Sequence, residues 1–184
     1  GVSVFDIRRD SIYDANTDIM LPRVIYDFAQ GDSIIYAATD IGVFSLVWGG
    51  SEWRRLLLDS PHLRSGVYQI QVVDSLLYTV GEDGVVVVDL KSSESTIFDR
   101  NTVFKNADLT ALLVHDNVIW AGGSSGLYRY NSRKDNWYRY TPNDGLIGIR
   151  VRAIIADGDF VWIGTDRGVS RFRWNDFDRS DWLQ

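Results

Sequence analysis

Short apolar runs alternate with polar turns along this chain, and both recur at a spacing of 42 residues. IIYAAT at 34–39, LLYTVG at 76–81, VIWAGG at 118–123 and FVWIGT at 160–165 hold the same place in successive repeats. Runs of this length without helical period predict strands covered on both faces. Two turn residues and a glycine follow each run: Gly42, Gly84, Gly126 and Gly168. A hairpin turn needs a residue at positive φ, which glycine adopts without the roughly 1–2 kcal/mol clash of a side chain. The strand starting there keeps Leu46, Val88, Tyr130 and Phe172 in one column. Asp32 with Ser33, Asp74 with Ser75, Asp116 with Asn117, and Gly158 with Asp159 supply hairpin chemistry ahead of each aromatic strand. A fourth strand is predicted at 53–57, 95–99 and 137–141, with Leu56, Phe98, Tyr140 and Trp182 aligned. The unit is a four-stranded antiparallel meander. Its length suits a β-propeller blade, whereas helical repeats of similar size need amphipathic helices.

Residues 1–7 match the glycine strand one residue out of frame, and 10–15 take the place of a fourth strand. The chain is thus expected to open in mid-blade. Residues 16–22 form a connector that ends at Pro22. The expected blades are a partial one at 1–22, then 23–63, 64–107, 108–149 and 150–184. This is an all-β architecture of about four and a half blades, read as one β-propeller segment of a larger ring of five to eight blades. The last strand, at 179–184, is the one least defined by the repeat.

Composition narrows the function classes. The net charge of −6 and the lack of a basic run argue against nucleic acid as a partner. No apolar run approaches the roughly 20 residues of a membrane-spanning helix, so no membrane insertion is expected. With no cysteine there is neither a disulfide nor thiolate chemistry. Two histidines, His62 and His115, do not make a closed zinc site, which wants four nitrogen or sulfur ligands. Asp157, Gly158 and Asp159 read as a turn rather than a calcium loop. GGSSG at 122–126 fits the nucleophile-elbow pattern, but an elbow passes from strand into helix, and here a strand follows. No cofactor is implied.

The positions that the repeat leaves free lie in two sets of loops expected at one end of the blades. Turns between the aromatic and glycine strands hold Asp40, Glu82, Asp83, Asp166 and Arg167. Loops after the fourth strand hold His62, Arg64, Lys105, Asn143, Asp144 and Arg150. Variable loop residues on a rigid scaffold are the default binding positions.

VWIGTDRGVSRF at 161–172, with VRAII before it and YTPNDGL at 140–146, resembles the two-component regulator propeller repeat. The match is closest over 109–172; Tyr36 and Tyr78 replace the tryptophan in the first two full units, which also lack the DGL turn. The resemblance implies a β-propeller from a bacterial periplasmic sensor or an extracellular protein. It implies a non-enzymatic module whose loop face binds a small molecule, a glycan or a protein, with other blades or domains of a longer chain as further partners. A structural or secretion-linked surface module, or a propeller lyase or hydrolase, are the alternative readings. If the aromatic column stacks between blades, Trp120→Ala costs about 3–5 kcal/mol. Chemical denaturation measures this, and a loss below about 1 kcal/mol would place the column in solvent.

Overall fold

The computed structural model describes residues 2–14, 24–50, 52–56 and 63–174. His62, the connector at 16–22, and the fourth strand expected at 179–184 with Trp182 lie outside them. The chain divides into two compact units, Gly1–Asn106 and Ala107–Gln184.

The first unit opens with a two-stranded ribbon, β1 (Ser3–Asp6) and β2 (Ser11–Asp14). Blade one follows with β3 (Ile25–Gln30), β4 (Ile34–Thr39), β5 (Gly42–Val47) and β6 (Arg54–Arg55). Blade two comprises β7 (Val67–Val73), β8 (Leu76–Gly81), β9 (Gly84–Asp89) and β10 (Ser95–Asp99). In the second unit, blade three is β11 (Leu109–His115), β12 (Val118–Gly123), β13 (Gly126–Asn131) and β14 (Asn136–Tyr140). Blade four contributes β15 (Val151–Asp157), β16 (Phe160–Thr165) and β17 (Gly168–Arg173). Every pairing is antiparallel between sequence neighbours, as expected of a meander. One strand is shorter than predicted: β6 pairs only through Arg54 and Arg55, because the wide hairpin at Gly49 and Gly50 delays the return. Leu56 still donates its N–H to the Val43 carbonyl at 2.8 Å.

The turn glycines adopt the left-handed conformation, with φ of 117° at Gly42, 115° at Gly84, 128° at Gly126 and 131° at Gly168. Backbone also approaches three of them closely. A Cβ on Gly84 would sit 2.2 Å from the Phe98 carbonyl oxygen, and one on Gly126 2.3 Å from that of Tyr140. Asp116 and Asn117 are both at positive φ, which gives the β11–β12 hairpin the mirror-image turn that matches strand twist.

One regularity has no signature in the sequence. The inner strand of each blade carries a register shift, between Ile25 and Asp27, Val67 and Gln69, Leu109 and Ala111, and Val151 and Ala153. The bypassed residues are Tyr26, Tyr68, Thr110 and Arg152, of which only the two tyrosines are alike. A bulge bends its strand and re-aims the side chains on either side.

The core is face-to-face packing of consecutive sheets. In the first unit the front of blade one (Tyr36, Ala38, Val43) clusters with the rear of blade two (Ile70, Leu77, Val88). In the second, the front of blade three (Ala111, Trp120, Leu127) clusters with the rear of blade four (Ile154, Val161, Ile163). The Trp120 ring stacks on Tyr140 at 6.3 Å and meets Phe172 edge-on at 5.9 Å, so the expected stacking residue joins two blades. Gly84→Ala is expected to cost about 1–3 kcal/mol in thermal or urea unfolding, from left-handed strain and the Phe98 carbonyl. Gly164→Ala, where a Cβ would make only ordinary contact with Ala153, is expected to stay within about 0.5 kcal/mol.

Candidate functional site

The two sets of loops anticipated as neighbours do meet, and one hydrogen bond per blade holds them. The turn N–H of Asp40, Glu82, Ser124 and Asp166 donates to the carbonyl of Val24, Gly66, Asp108 and Arg150 respectively, at 3.4, 2.9, 2.9 and 3.0 Å. These pairs follow the 42-residue spacing. Side chains reinforce them in the second unit. Asp166 Oδ1 accepts the Arg150 N–H at 3.3 Å, and Ser124 Oγ accepts the Asp108 N–H at 2.9 Å. In the first unit, the Ser65 hydroxyl bonds the Asp83 carboxylate across the same junction. The next turn carbonyl is also held: Arg55 donates to Ile41 and to the Arg64 carbonyl, and Arg139 Nε donates to the Ser125 carbonyl at 2.8 Å.

Several predicted binding residues therefore serve the loops themselves. Asp144 closes a capping box around a single 3-10 turn, Pro142–Asp144: its Oδ2 accepts from the Thr141 N–H at 2.8 Å and the Thr141 hydroxyl at 2.9 Å. Asn143 donates its N–H to Thr141 Oγ1 at 3.3 Å. The TPNDG segment, expected as an exit turn, is this helical turn, ended by Gly145 at φ 100°. Glu82 stands 3.5 Å from the Tyr68 hydroxyl. The side chains of Asp40, Arg64, Lys105, Arg150 and Arg167 are exposed and make no hydrogen bond or ion pair with a described residue. Asp40, Arg64, Glu82, Asp83 and Lys105 belong to the first unit, and Asn143, Asp144, Arg150, Asp166 and Arg167 to the second.

A recess of about 470 Å³ lies at the other end of the first unit, where sequence reasoning placed nothing. Asp32, Ser33, Asp74 and Ser75 from the inner hairpins line it, with Lys91 from the outer hairpin and Tyr36 from β4. Ile34, Val72 and Leu90 supply apolar wall. Tyr36 is buried, and its hydroxyl has no hydrogen-bond partner among the described residues. Burial pushes that hydroxyl above its ordinary range. Tyr78 in the next blade is raised by burial and then by the Asp74 charge. The repeat places Tyr36 in the stacking column and carries no signal for its polar end.

The second unit has a smaller hollow of about 140 Å³ at the corresponding hairpins, lined by Arg129, Tyr130, Arg133 and Lys134 among others. Tyr130 donates to Asp135 Oδ1 at 2.5 Å, and that bond, with burial and the Asp135 charge, pushes its pKa up to about 12. His115 is half-buried, 3.7 Å from Asp116 Oδ2 and edge-on to Trp174 at 5.3 Å, rather than a free surface imidazole. GGSSG forms a strand–turn–strand with Gly123 opposite Gly126, so the serines occupy a hairpin. Among the described residues no group of three acidic or histidine side chains could hold a metal ion, and no helix is long and apolar enough to cross a membrane.

If these roles are as the geometry indicates, Asp144→Ala costs about 1 kcal/mol in thermal unfolding through its lost cap. Lys105→Ala and Arg167→Ala stay within about 0.5 kcal/mol. Tyr130 tests the electrostatics. Its raised pKa favours the folded state below the ordinary tyrosine range, and that contribution disappears as pH rises through about 12. Ultraviolet titration of tyrosinate should lose its latest component in Tyr130→Phe.

No family model and no curated protein matches the chain. Solved structures do. The extracellular domain of BT4673 from B. thetaiotaomicron, assigned as a one-component system, superposes with a TM-score of 0.74 at 21% identity, over 88% of this chain and 22% of that one. The extracellular domain of BT3049 from the same organism, assigned as a hybrid two-component system, gives 0.71 at 17% identity, over 87% and 23%. The computationally designed Ika4 protein gives 0.63 at 18% identity, over 82% and 91%. The chain thus spans about a fifth of the length of those extracellular domains and most of the designed protein. A WD40 β-propeller domain, that of Doa1, is also similar, with a TM-score of 0.63. The fold is that of β-propeller blades, as the 42-residue repeat predicted.

Proposed function

We propose that this chain is a non-enzymatic binding module from the extracytoplasmic part of a bacterial sensor, and that its first unit takes a small polar ligand in the recess above Tyr36. The recess carries this reading. The hydroxyl of the buried Tyr36 side chain, without a partner among the described residues and opening on a recess lined by two carboxylates, two serines and a lysine, is a polar group that a ligand would satisfy. Its volume lies within the usual range for small-molecule pockets, roughly 300–1,000 Å³. The loop end offers less chemistry, since Asp144 and Asp166 are engaged by backbone N–H groups. The extracytoplasmic location is supported by the named extracellular domains among the structural neighbours.

The test is calorimetric titration of the chain against panels of sugars, amino acids and small organic acids, with periplasmic extract as an unbiased source. Tyr36→Phe keeps the ring that packs against the second blade and removes only the hydroxyl. Binding should weaken about tenfold, consistent with loss of one buried hydrogen bond, with little change in melting temperature. Unchanged binding by Tyr36→Phe would remove the recess as the site.

A further inference from the structure

The recess above Tyr36 gathers charges of both signs that do not meet. Asp32 and Asp74 stand at the tips of the β3–β4 and β7–β8 hairpins, and Lys91 at the tip of the β9–β10 hairpin. Backbone bonds hold these tips in place. The Leu90 N–H donates to the Ser75 carbonyl at 2.8 Å, and Asp89 Oδ1 accepts the Lys91 N–H at 2.8 Å. The outer hairpin is thereby latched to the inner one, which sets Lys91 at the same hollow as Asp74. Yet the side chains of Asp32, Asp74 and Lys91 form no ion pair or hydrogen bond with one another or with another described residue. Opposite charges that line one hollow without touching leave room between them.

Tyr36 adds a fixed polar point. Its side chain is 4% exposed. Ring Cε2, next to the carbon that bears the hydroxyl, is 3.4 Å from where a Cβ on Gly31 would stand, and Gly31 also lines the recess. The hydroxyl end of the ring therefore lies toward the hollow. Blades three and four carry Trp120 and Trp162 at this place, so stacking does not require a hydroxyl here. Ile34, Val72 and Leu90 complete the wall with aliphatic carbon. We propose that the recess takes a small zwitterion, a free α-amino acid with an aliphatic side chain, its ammonium group held by Asp32 and Asp74 and its carboxylate by Lys91. The inference rests on the reading of the recess as a ligand site and adds the class of ligand. Charge decides that class. A simple anion meets repulsion from both aspartates, and a simple amine leaves Lys91 without a counter-charge. A neutral sugar would desolvate all three charges and neutralise none. The Tyr36 hydroxyl can donate to the carboxylate or accept from the ammonium group. The aliphatic wall takes the ligand's side chain.

Calorimetric titration of the whole chain with leucine tests this, beside leucinamide, which lacks the anionic group, and isocaproate, which lacks the cationic one. Leucine should bind at least about tenfold more tightly than either. Lys91→Gln should remove its advantage over leucinamide, and Asp74→Asn its advantage over isocaproate. Both residues are exposed, and asparagine tolerates the left-handed turn that Asp74 adopts at φ 53°, so melting temperature should hold. A neutral sugar, amine or organic acid that binds more tightly than leucine, and weakens about tenfold in Tyr36→Phe, would keep the recess as a ligand site and overturn the zwitterion. Leucine binding that both charge variants leave unchanged would overturn it too. If no probe of any class binds in a Tyr36-dependent way, the recess itself is lost as a site, and this inference with it.

Discussion

Everything in this chain depends on one sheet face lying flat against the next. A four-stranded meander has two apolar faces and cannot bury either alone. Stacking solves this only if neighbouring faces fit along their whole width. The Trp120, Tyr140 and Phe172 rings show how tight that fit is, with ring centres 5.0 to 6.3 Å apart across two blades. At roughly 25 cal/mol per Å² of apolar surface, such faces account for much of what opposes chain entropy. The turn glycines serve the same end. By letting backbone carbonyls of the fourth strand come close, they keep each blade compact where side chains would hold it apart.

The division of labour between repeat and tip follows from this. Residues fixed by the 42-residue period are fixed because they face a neighbouring blade or turn the chain. Residues outside it are free of that constraint, yet many acquire local duties. Asp89, Asp99 and Asn131 each accept two backbone N–H groups in the turn that follows. These bonds are short-range and polar, and they engage side-chain oxygens in the turns themselves. The recess draws its polar groups from two blades, and Lys91 reaches it from the hairpin that Asp89 holds.

How much of this was legible beforehand depends on whether the signal repeats. Strand positions, the glycine turns and the aromatic column could be read because identity recurs at a fixed period, and the architecture followed. The bulge in each inner strand could not, since Tyr26, Tyr68, Thr110 and Arg152 share no residue type across all four blades. The shortened β6 was equally hidden, because two glycines in a hairpin do not say how far the ladder will reopen. At the loop end, the adjacency of the two loop sets was legible from the repeat, but the local bonding of Asp144 was not, since a capping carboxylate and a free one look alike in sequence. Tyr36 shows the reverse error. It was read as a stacking ring, and only the fold reveals that its hydroxyl faces a hollow.

The hydrogen bond from each turn N–H to the carbonyl at the end of the preceding exit loop has a consequence for how such a chain can change. It clamps the loop where it rejoins the sheet, so whatever happens upstream of the clamp is mechanically isolated from the strands. Loop-closure entropy rises only slowly with length, by about 0.6 kcal/mol per doubling. An exit loop can therefore gain or lose residues, as those of 100–108 and 141–150 already differ in form, without disturbing the register beyond. The scaffold is rigid where it repeats and open to variation where it does not, and the boundary between the two is a single bond in each blade.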